Sequence, residues 1–249
     1  RDAGPKGSRE GLAMNIADEF ARAALYCPEK TALIFGDASY TYAAMHRTVE
    51  KTAAYLASLG VSRGDRVSIY MANRPEWIFF YYAVARLGAI AVCVPGAFKR
   101  DEAAGVVNDS ESSVLVTSEE VKSQVPPPEK IPSVRETVVV ESCAAFESIL
   151  RGGDSFDART GIETSGDDVA AILYTGGTTG IPKGAMLTHR NLLYSAQNVA
   201  YHERLVPADI GLNFLPLNHV FTQCHIMHAY FAGCATLVLF PGFDMDRVV

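Results

Sequence analysis

The residues best suited to chemistry lie in one segment, YTGGTTGIPKG at positions 174–184, which packs four glycines, three threonines and one lysine into eleven residues. Glycines let the backbone approach a ligand and take positive φ, so that successive N–H groups converge on anionic oxygen. Threonine hydroxyls add neutral donors, and Lys183 supplies a mobile point charge. The pattern describes a phosphate grip made of Thr175, Gly176, Gly177, Thr178, Thr179, Gly180 and Lys183. A plainer reading is a Gly- and Thr-rich turn with a surface lysine, but so long a run of these residue types directly after the apolar VAAIL weighs against it. The segment is not a Walker A loop, because GxxxxGK[ST] needs Ser or Thr after the lysine and Lys183 stands between Pro182 and Gly184.

Other candidates carry less. His219 follows the apolar run FLPL, which reads as a strand end, but it is one histidine among six and a structural role is its default. Cys224, His225 and His228 suggest a metal site if His225 and His228 share a helical face; no second ligand pair stands at suitable spacing, so no metal ligand is assigned. The cluster Trp77, Phe79, Phe80, Tyr81 and Tyr82 reads as core.

Stepping along the chain, Ile16, Phe20 and Ala24 mark an amphipathic helix over 15–25, and ALIF and YTY flank GDAS as a β-hairpin. Met45, Val49, Ala53 and Leu56 mark a helix over 43–59, with Gly60 as its left-handed cap. A strand at 66–70, a helix with Pro75 in its first turn running through Arg86, and a strand at 89–94 form a strand, helix, strand unit. A helix near 99–107, strands SVLVT and TVVV on either side of a Pro-rich connection at 126–128, a helix near 146–150 and a strand at 169–174 continue the alternation. AMLT reads as a short strand and Thr188 as the N-cap of a helix from Arg190 to about Glu203, so the Gly-rich loop joins two strands. Repeated crossovers predict an α/β fold, a three-layer arrangement with a mainly parallel sheet. Residues 1–12 form a polar lead expected to be disordered; residues 13–249 read as one incomplete domain with an exposed connection near 151–166.

Lys and Arg number 22 against 28 Asp and Glu, a net charge of -6 with no basic cluster, which argues against nucleic acid as partner. The apolar stretch 77–94 is broken by Arg86 and Gly88 and stopped by Pro95, which suits a buried helix and strand rather than a membrane span. Five cysteines without CxxC spacing fit a reducing, cytoplasmic compartment. No signal peptide is apparent, and the polar start and apolar end read as a chain cut from something longer.

YTGGTTGIPKG followed by AMLTHRNL resembles the phosphate-binding signature of the acyl-adenylate-forming enzymes: acyl-CoA synthetases, luciferases and peptide-synthetase adenylation domains. The run from YTYAAMHRTVEKTAAYL to LGAIAV resembles the family's N-terminal region, and FLPLNHVF its next motif. The resemblance implies a two-step reaction in which a carboxylate attacks the α-phosphorus of ATP, pyrophosphate leaves, and a thiol such as coenzyme A captures the acyl-adenylate. It places Thr175 to Gly180 and Lys183 on the β- and γ-phosphates, and His219 beside the carboxylate and α-phosphate, with His219 and Lys183 as the catalytic residues. Gly176 stands where the family commonly has Ser, and Asn218 where an aromatic residue is frequent.

The family's later elements have no match here: the Tyr-Gly-x-Thr-Glu motif whose Glu binds Mg2+, the ribose-binding Asp, the hinge and the C-terminal catalytic Lys. The chain is thus expected to be the N-terminal part of an ATP-dependent acid–CoA ligase for a medium- or long-chain fatty acid. On this reading it is inactive alone, has its Mg2+ ligand outside its own length, and self-associates through surface that the missing half covers. The alternatives are an adenylating enzyme that loads a carrier-protein thiol and a non-enzymatic nucleotide-binding remnant.

Overall fold

A computed structural model describes residues 14–151, 163–175 and 182–242. The polar lead, most of the connection near 151–166, and Gly176, Gly177, Thr178, Thr179 and Gly180 lie outside the described residues.

The chain opens with helix α1 (Ile16–Tyr26), capped by Asn15, whose side chain accepts from the Ala17 N–H. Strands β1 (Thr31–Phe35) and β2 (Ala38–Thr41) form the expected hairpin, and Thr41 caps α2 (Tyr42–Ser58). Gly60 takes φ +79 directly after α2, the left-handed conformation that glycine adopts without steric cost. Then follow β3 (Arg66–Tyr70), α3 (Pro75–Arg86), β4 (Ile90–Cys93), α4 (Arg100–Asp109), β5 (Val114–Thr117), two short 3-10 turns and β6 (Glu136–Val139). The last third holds α5 (Ala144–Arg151), β7 (Val169–Thr175), β8 (Lys183–Thr188), α6 (His189–His202), β9 (Ile210–Asn213), a π-helix (Thr222–His228), α7 (Ala229–Ala232) and β10 (Thr236–Leu239).

The strands form two sheets, where the sequence suggested one. The smaller runs β2-β1-β10-β9 and the larger β6-β5-β3-β4-β7-β8. Both are parallel except at the hairpin β1/β2 and the pair β7/β8. Strand alternation gives the larger sheet two apolar faces. Val67, Ile69, Ala91, Cys93, Val114 and Val116 point into the main core, whereas Tyr70, Val92, Val94 and Leu115 meet α4 residues Ala103, Val106 and Val107 on the opposite face.

The main core is a helical layer between the sheets: α3 packs on β3 and β4, α2 on β1 and β2, α7 on β10, and α1 packs on α2, α3 and α7. Helix α3 is apolar all round because it is enclosed on every side. Its ring cluster is core, as expected: Trp77 stacks on Tyr81 at 5.1 Å, Phe80 meets Phe146 at 5.0 Å, and Tyr82 stacks on Phe20 at 4.8 Å. Asn15 ties the layer together through Nδ2, which donates to Ala85 O at 2.7 Å and to Thr164 Oγ1 at 3.2 Å. Thr164 is therefore buried, so the expected exposed connection ends in an anchored residue. On the smaller sheet, edge strand β9 leaves Ile210 and Leu212 exposed.

Two histidines are buried in this layer. His189 Nδ1 accepts from the Ile16 N–H at 3.2 Å, and the ring nitrogens of His228 lie 3.2 Å and 2.9 Å from the Tyr81 and Tyr82 hydroxyls. Burial pushes His189 down to about 4 and His228 down to about 3. In the unfolded chain both titrate near ~6.5, so below that pH the unfolded state binds protons that the folded state does not. The fold should keep its full stability above this range and lose up to roughly 1.4 kcal/mol per histidine per pH unit as pH falls toward 4. Urea melts at a series of pH values check this: the slope should shrink in His189→Gln, and a melt unchanged between neutral pH and pH 5 would contradict it.

Two glycines sit under rings. A Cβ on Gly211 would lie 2.3 Å from Tyr230 Cε1, and one on Gly184 would lie 2.7 Å from Ile172 Cγ2 and 2.9 Å from Tyr174 Cζ. Gly184→Ala should displace the Tyr174 ring and destabilise the fold by roughly 1–3 kcal/mol, the usual cost of overpacking. The check is its urea midpoint beside that of Gly105→Ala, where an added Cβ meets nothing within 4 Å and no loss is expected.

Candidate functional site

The Gly-rich loop joins β7 to β8, strand to strand, as the sequence predicted. Its two ends are clamped by the ladder, in which Thr175 pairs with Lys183 and Tyr174 with Gly184. Thr175 and Lys183 are both exposed, and Lys183 has no carboxylate partner among the described residues. Tyr174 anchors the first end: its ring is buried, its hydroxyl donates to Asp109 Oδ2 at 2.5 Å, and burial followed by that carboxylate raises its pKa. The close approach of Gly184 to the same ring anchors the second end.

The larger feature is a cleft that the sequence did not reveal. Carboxyl ends of parallel strands leave a crevice where ligands bind in open α/β sheets. Here two sheets contribute to one cleft of about 340 Å3, lined by Met71, Ala72 and Asn73 after β3, Pro95 to Ala97 after β4, Phe214 to Pro216 and Asn218 after β9, and Pro241 after β10. Strand β7 lies beside β4 and runs parallel to it, so Thr175 belongs to the same carboxyl edge.

Asn73 holds the cleft together. Its Nδ2 donates to Leu215 O at 2.8 Å and Phe240 O at 3.1 Å, and its Oδ1 accepts from the Leu217 N–H at 2.8 Å. One buried amide thus ties the end of β3 in one sheet to the segments after β9 and β10 in the other. Gln223 adds a second tie: its Nε2 donates to Leu217 O at 2.9 Å, and its Oε1 accepts from the Tyr81 hydroxyl at 3.2 Å. Asn73 stands between β3 and Pro75, a signal for a turn but not for this role. At the end of β9, Asn213 is fully buried with both amide atoms unpartnered among the described residues.

His219 is exposed beside this cleft, though not at a strand end. Strand β9 is IGLN and stops at Asn213, so FLPL forms the connection that follows. Asn73 holds that connection away from the ladder by taking its backbone groups. The His219 N–H bonds Pro216 O at 3.1 Å, and its Nδ1 accepts from the Phe221 N–H at 3.3 Å, which caps the next helical segment and leaves the proton of the neutral ring on Nε2. Val220 and Phe221, next to it, are exposed apolar side chains, and Phe221 stacks on His225 at 4.6 Å.

His225 and His228 do not share a face. The segment winds as a π-helix, whose wider turns separate positions three apart; His225 is exposed while His228 is buried between Tyr81 and Tyr82. Among the described residues no three His, Cys, Asp or Glu side chains are grouped to hold a metal ion, and no helix is long and apolar enough to cross a membrane.

Comparison with known proteins agrees with this architecture. The chain is 31% identical over 229 residues to the crotonobetaine/carnitine–CoA ligase of Salmonella paratyphi A, which covers 87% of this chain and 44% of that protein. Among solved structures it is similar to a long-chain-fatty-acid–CoA ligase (FadD1) from Archaeoglobus fulgidus, with a TM-score of 0.85 and 26% identity over 96% of this chain and 49% of that one. The N-terminal domain of FACL13 from Mycobacterium tuberculosis matches with a TM-score of 0.83 and 26% identity, over 94% of this chain and 59% of that chain. ATP-bound MatB from Rhodopseudomonas palustris matches with a TM-score of 0.82 and 25% identity, over 94% and 47%. The chain thus spans about half the length of the relatives it matches. Residues 20–249 fit the AMP-binding enzyme family, and the chain, with its Gly-rich segment between two strands and its two-sheet cleft, belongs to that family.

Proposed function

We propose that this chain is part of the N-terminal domain, spanning residues 13–249, of an AMP-forming acid–CoA ligase that uses ATP and Mg2+. The observation that carries the reading is the cleft at the joined carboxyl edges, with Lys183, which has no carboxylate partner among the described residues, on the same edge. In the first half-reaction a carboxylate oxygen of the acid attacks the α-phosphorus of ATP. The bond from that phosphorus to the bridging oxygen breaks, and pyrophosphate leaves. In the second, the coenzyme A thiol attacks the acyl carbon and AMP departs.

Charge develops on the departing pyrophosphate, and preformed donors there lower the barrier without reorganising. Lys183 and the loop residues Thr175, Gly176, Gly177, Thr178, Thr179 and Gly180 take that role. His219, with its Nε2 proton, orients the carboxylate and lines the acyl entrance. The Mg2+ ligand comes from outside this chain. The exposed Val220 and Phe221 next to His219, together with the likeness to a long-chain-fatty-acid–CoA ligase, support a medium- or long-chain fatty acid as substrate. Coenzyme A as acceptor is supported by the Salmonella and Archaeoglobus relatives, both CoA ligases. A cytoplasmic location fits the free thiols, and the exposed β9 edge is the surface through which this chain alone would self-associate.

In the full-length ligase, Lys183→Ala should slow adenylation by roughly one to three powers of ten, the cost of losing one electrostatic contact at a reacting phosphate. Thioester formation from preformed acyl-adenylate should change far less, because no pyrophosphate remains. His219→Ala should raise the acid concentration required or alter acid preference. Equal losses in both half-reactions for Lys183→Ala would indicate a folding defect and remove support for the phosphate grip. This chain alone should make no acyl-adenylate, and fatty-acid-dependent pyrophosphate exchange by the purified chain would refute that.

A further inference from the structure

A second hollow, of about 510 Å3, lies between α2, the first turns of α3 and α5, with Val140 and Glu141 after β6 on its rim. None of its lining residues lines the cleft. Helix α2 supplies one wall: Ala44, Arg47, Thr48 and Lys51 recur three and four apart, a stripe beside the one that Met45, Val49, Ala53 and Leu56 bury in the core. Two contacts hold α5 against this wall. Phe146 meets Tyr55 of α2 at 5.3 Å and Phe80 of α3 at 5.0 Å, and Lys51 Nζ donates to Leu150 O at 2.9 Å. Phe79, Val140, Phe146 and Leu150 form the apolar part of the lining, and the Tyr40 ring stands T-shaped against Phe79 at 5.5 Å.

The charges around this hollow are unequally matched. Each of its three carboxylates already has a cation: Glu76 accepts from Arg74 Nε at 2.8 Å, Glu141 accepts from Arg74 Nη1, and Glu147 accepts from Arg151 Nη2 at 3.0 Å. Its two cations have no carboxylate. Arg47 is exposed with no acidic partner among the described residues, and Lys51 spends one of its three N–H donors on Leu150 O. With Arg74 and Arg151 counted, four cations face three carboxylates, which leaves one positive charge in excess. Arg47 and Lys51 stand one helical turn apart, about 5–6 Å between Cβ atoms, so one carboxylate can bridge them. The three glutamates repel a ligand that carries several negative charges.

We propose that this hollow is a binding site for an amphipathic monocarboxylate, with the carboxylate between Arg47 and Lys51 and the apolar body over Phe79, Phe146 and Leu150. The two parts of the ligand act together. An exposed ion pair alone contributes little, and each methylene that the apolar lining takes out of water adds to it. An ammonium ligand of the same shape finds the carboxylates already occupied by Arg74 and Arg151. A neutral ligand gains the apolar contacts and leaves Arg47 and Lys51 unused.

None of these residues serves the ligase reading, so the two are tested apart on the same chain. Sodium octanoate, kept below its micelle-forming concentration, is titrated into the isotope-labelled chain and amide chemical shifts are followed. Saturable shifts at Arg47, Lys51, Phe79 and Phe146 are expected, with octan-1-ol and octylamine binding there roughly tenfold more weakly or worse. Arg47→Gln changes an exposed side chain and should keep the fold while weakening octanoate by roughly three- to tenfold; Lys51→Gln should do the same. Shifts confined to His219, Val220 and Phe221 would overturn this proposal and leave the ligase reading standing. Equal affinity for octanoate, octan-1-ol and octylamine, or no loss of affinity in Arg47→Gln, would also overturn it. The comparison of the three ligands uses the unmutated chain, so it decides the matter even if a variant misfolds.

Discussion

The candidate site depends on one side chain that joins two sheets. Three hydrogen bonds from the Asn73 amide fasten the end of β3 to the connections after β9 and β10. Without them the backbone groups of Leu215, Leu217 and Phe240 would be left unpaired in a mostly buried setting, each at a cost of about 1–3 kcal/mol. The helical layer brings the sheets together by burial, which has no direction. The amide supplies the direction, because its donors and acceptor fit only one arrangement of the three segments. Tyr174 plays a similar part for the loop, holding one end of the β7/β8 pair to α4 through Asp109.

Local features were legible in the sequence because their causes are local. The stripe of α1, the hairpin at GDAS, the left-handed Gly60 and the Thr188 cap each follow from a few neighbouring residues, and each stands as read. The strand-loop-strand setting of the Gly-rich segment was legible for the same reason. The division into two sheets was not. Alternating strands and helices imply parallel pairing without saying which strands pair, and β1 finds its partner in β10 through Leu33 and Leu237.

The sequence proposes the charged part of the candidate site and says nothing of its scaffold. Lys183 and the glycines announce themselves by type and spacing, whereas Asn73 acts on backbone oxygens 142 and 167 positions away. No pattern of side chains records such a contact. The π-helix misled in the same way: the helical period that placed His225 and His228 on one face fails when the backbone winds more widely, and the two rings meet different environments. FLPL was read as strand because it is apolar, yet its backbone groups are claimed by Asn73 and Gln223 rather than by a neighbouring strand.

On the proposed function, the joined carboxyl edges, and not some other hollow, receive the nucleotide. A second cavity of about 510 Å3, lined by Arg47, Lys51, Glu76, Phe79 and Phe146 among others, offers a clear alternative. The most direct measurement is a titration of ATP and magnesium into the isotope-labelled chain, followed by amide chemical shifts. Shifts concentrated at Asn73, Tyr174, Thr175, Lys183, Gly184, Asn218 and His219 are the predicted result. Shifts concentrated at Arg47, Lys51 and Phe146, with the carboxyl edge unchanged, would contradict the account.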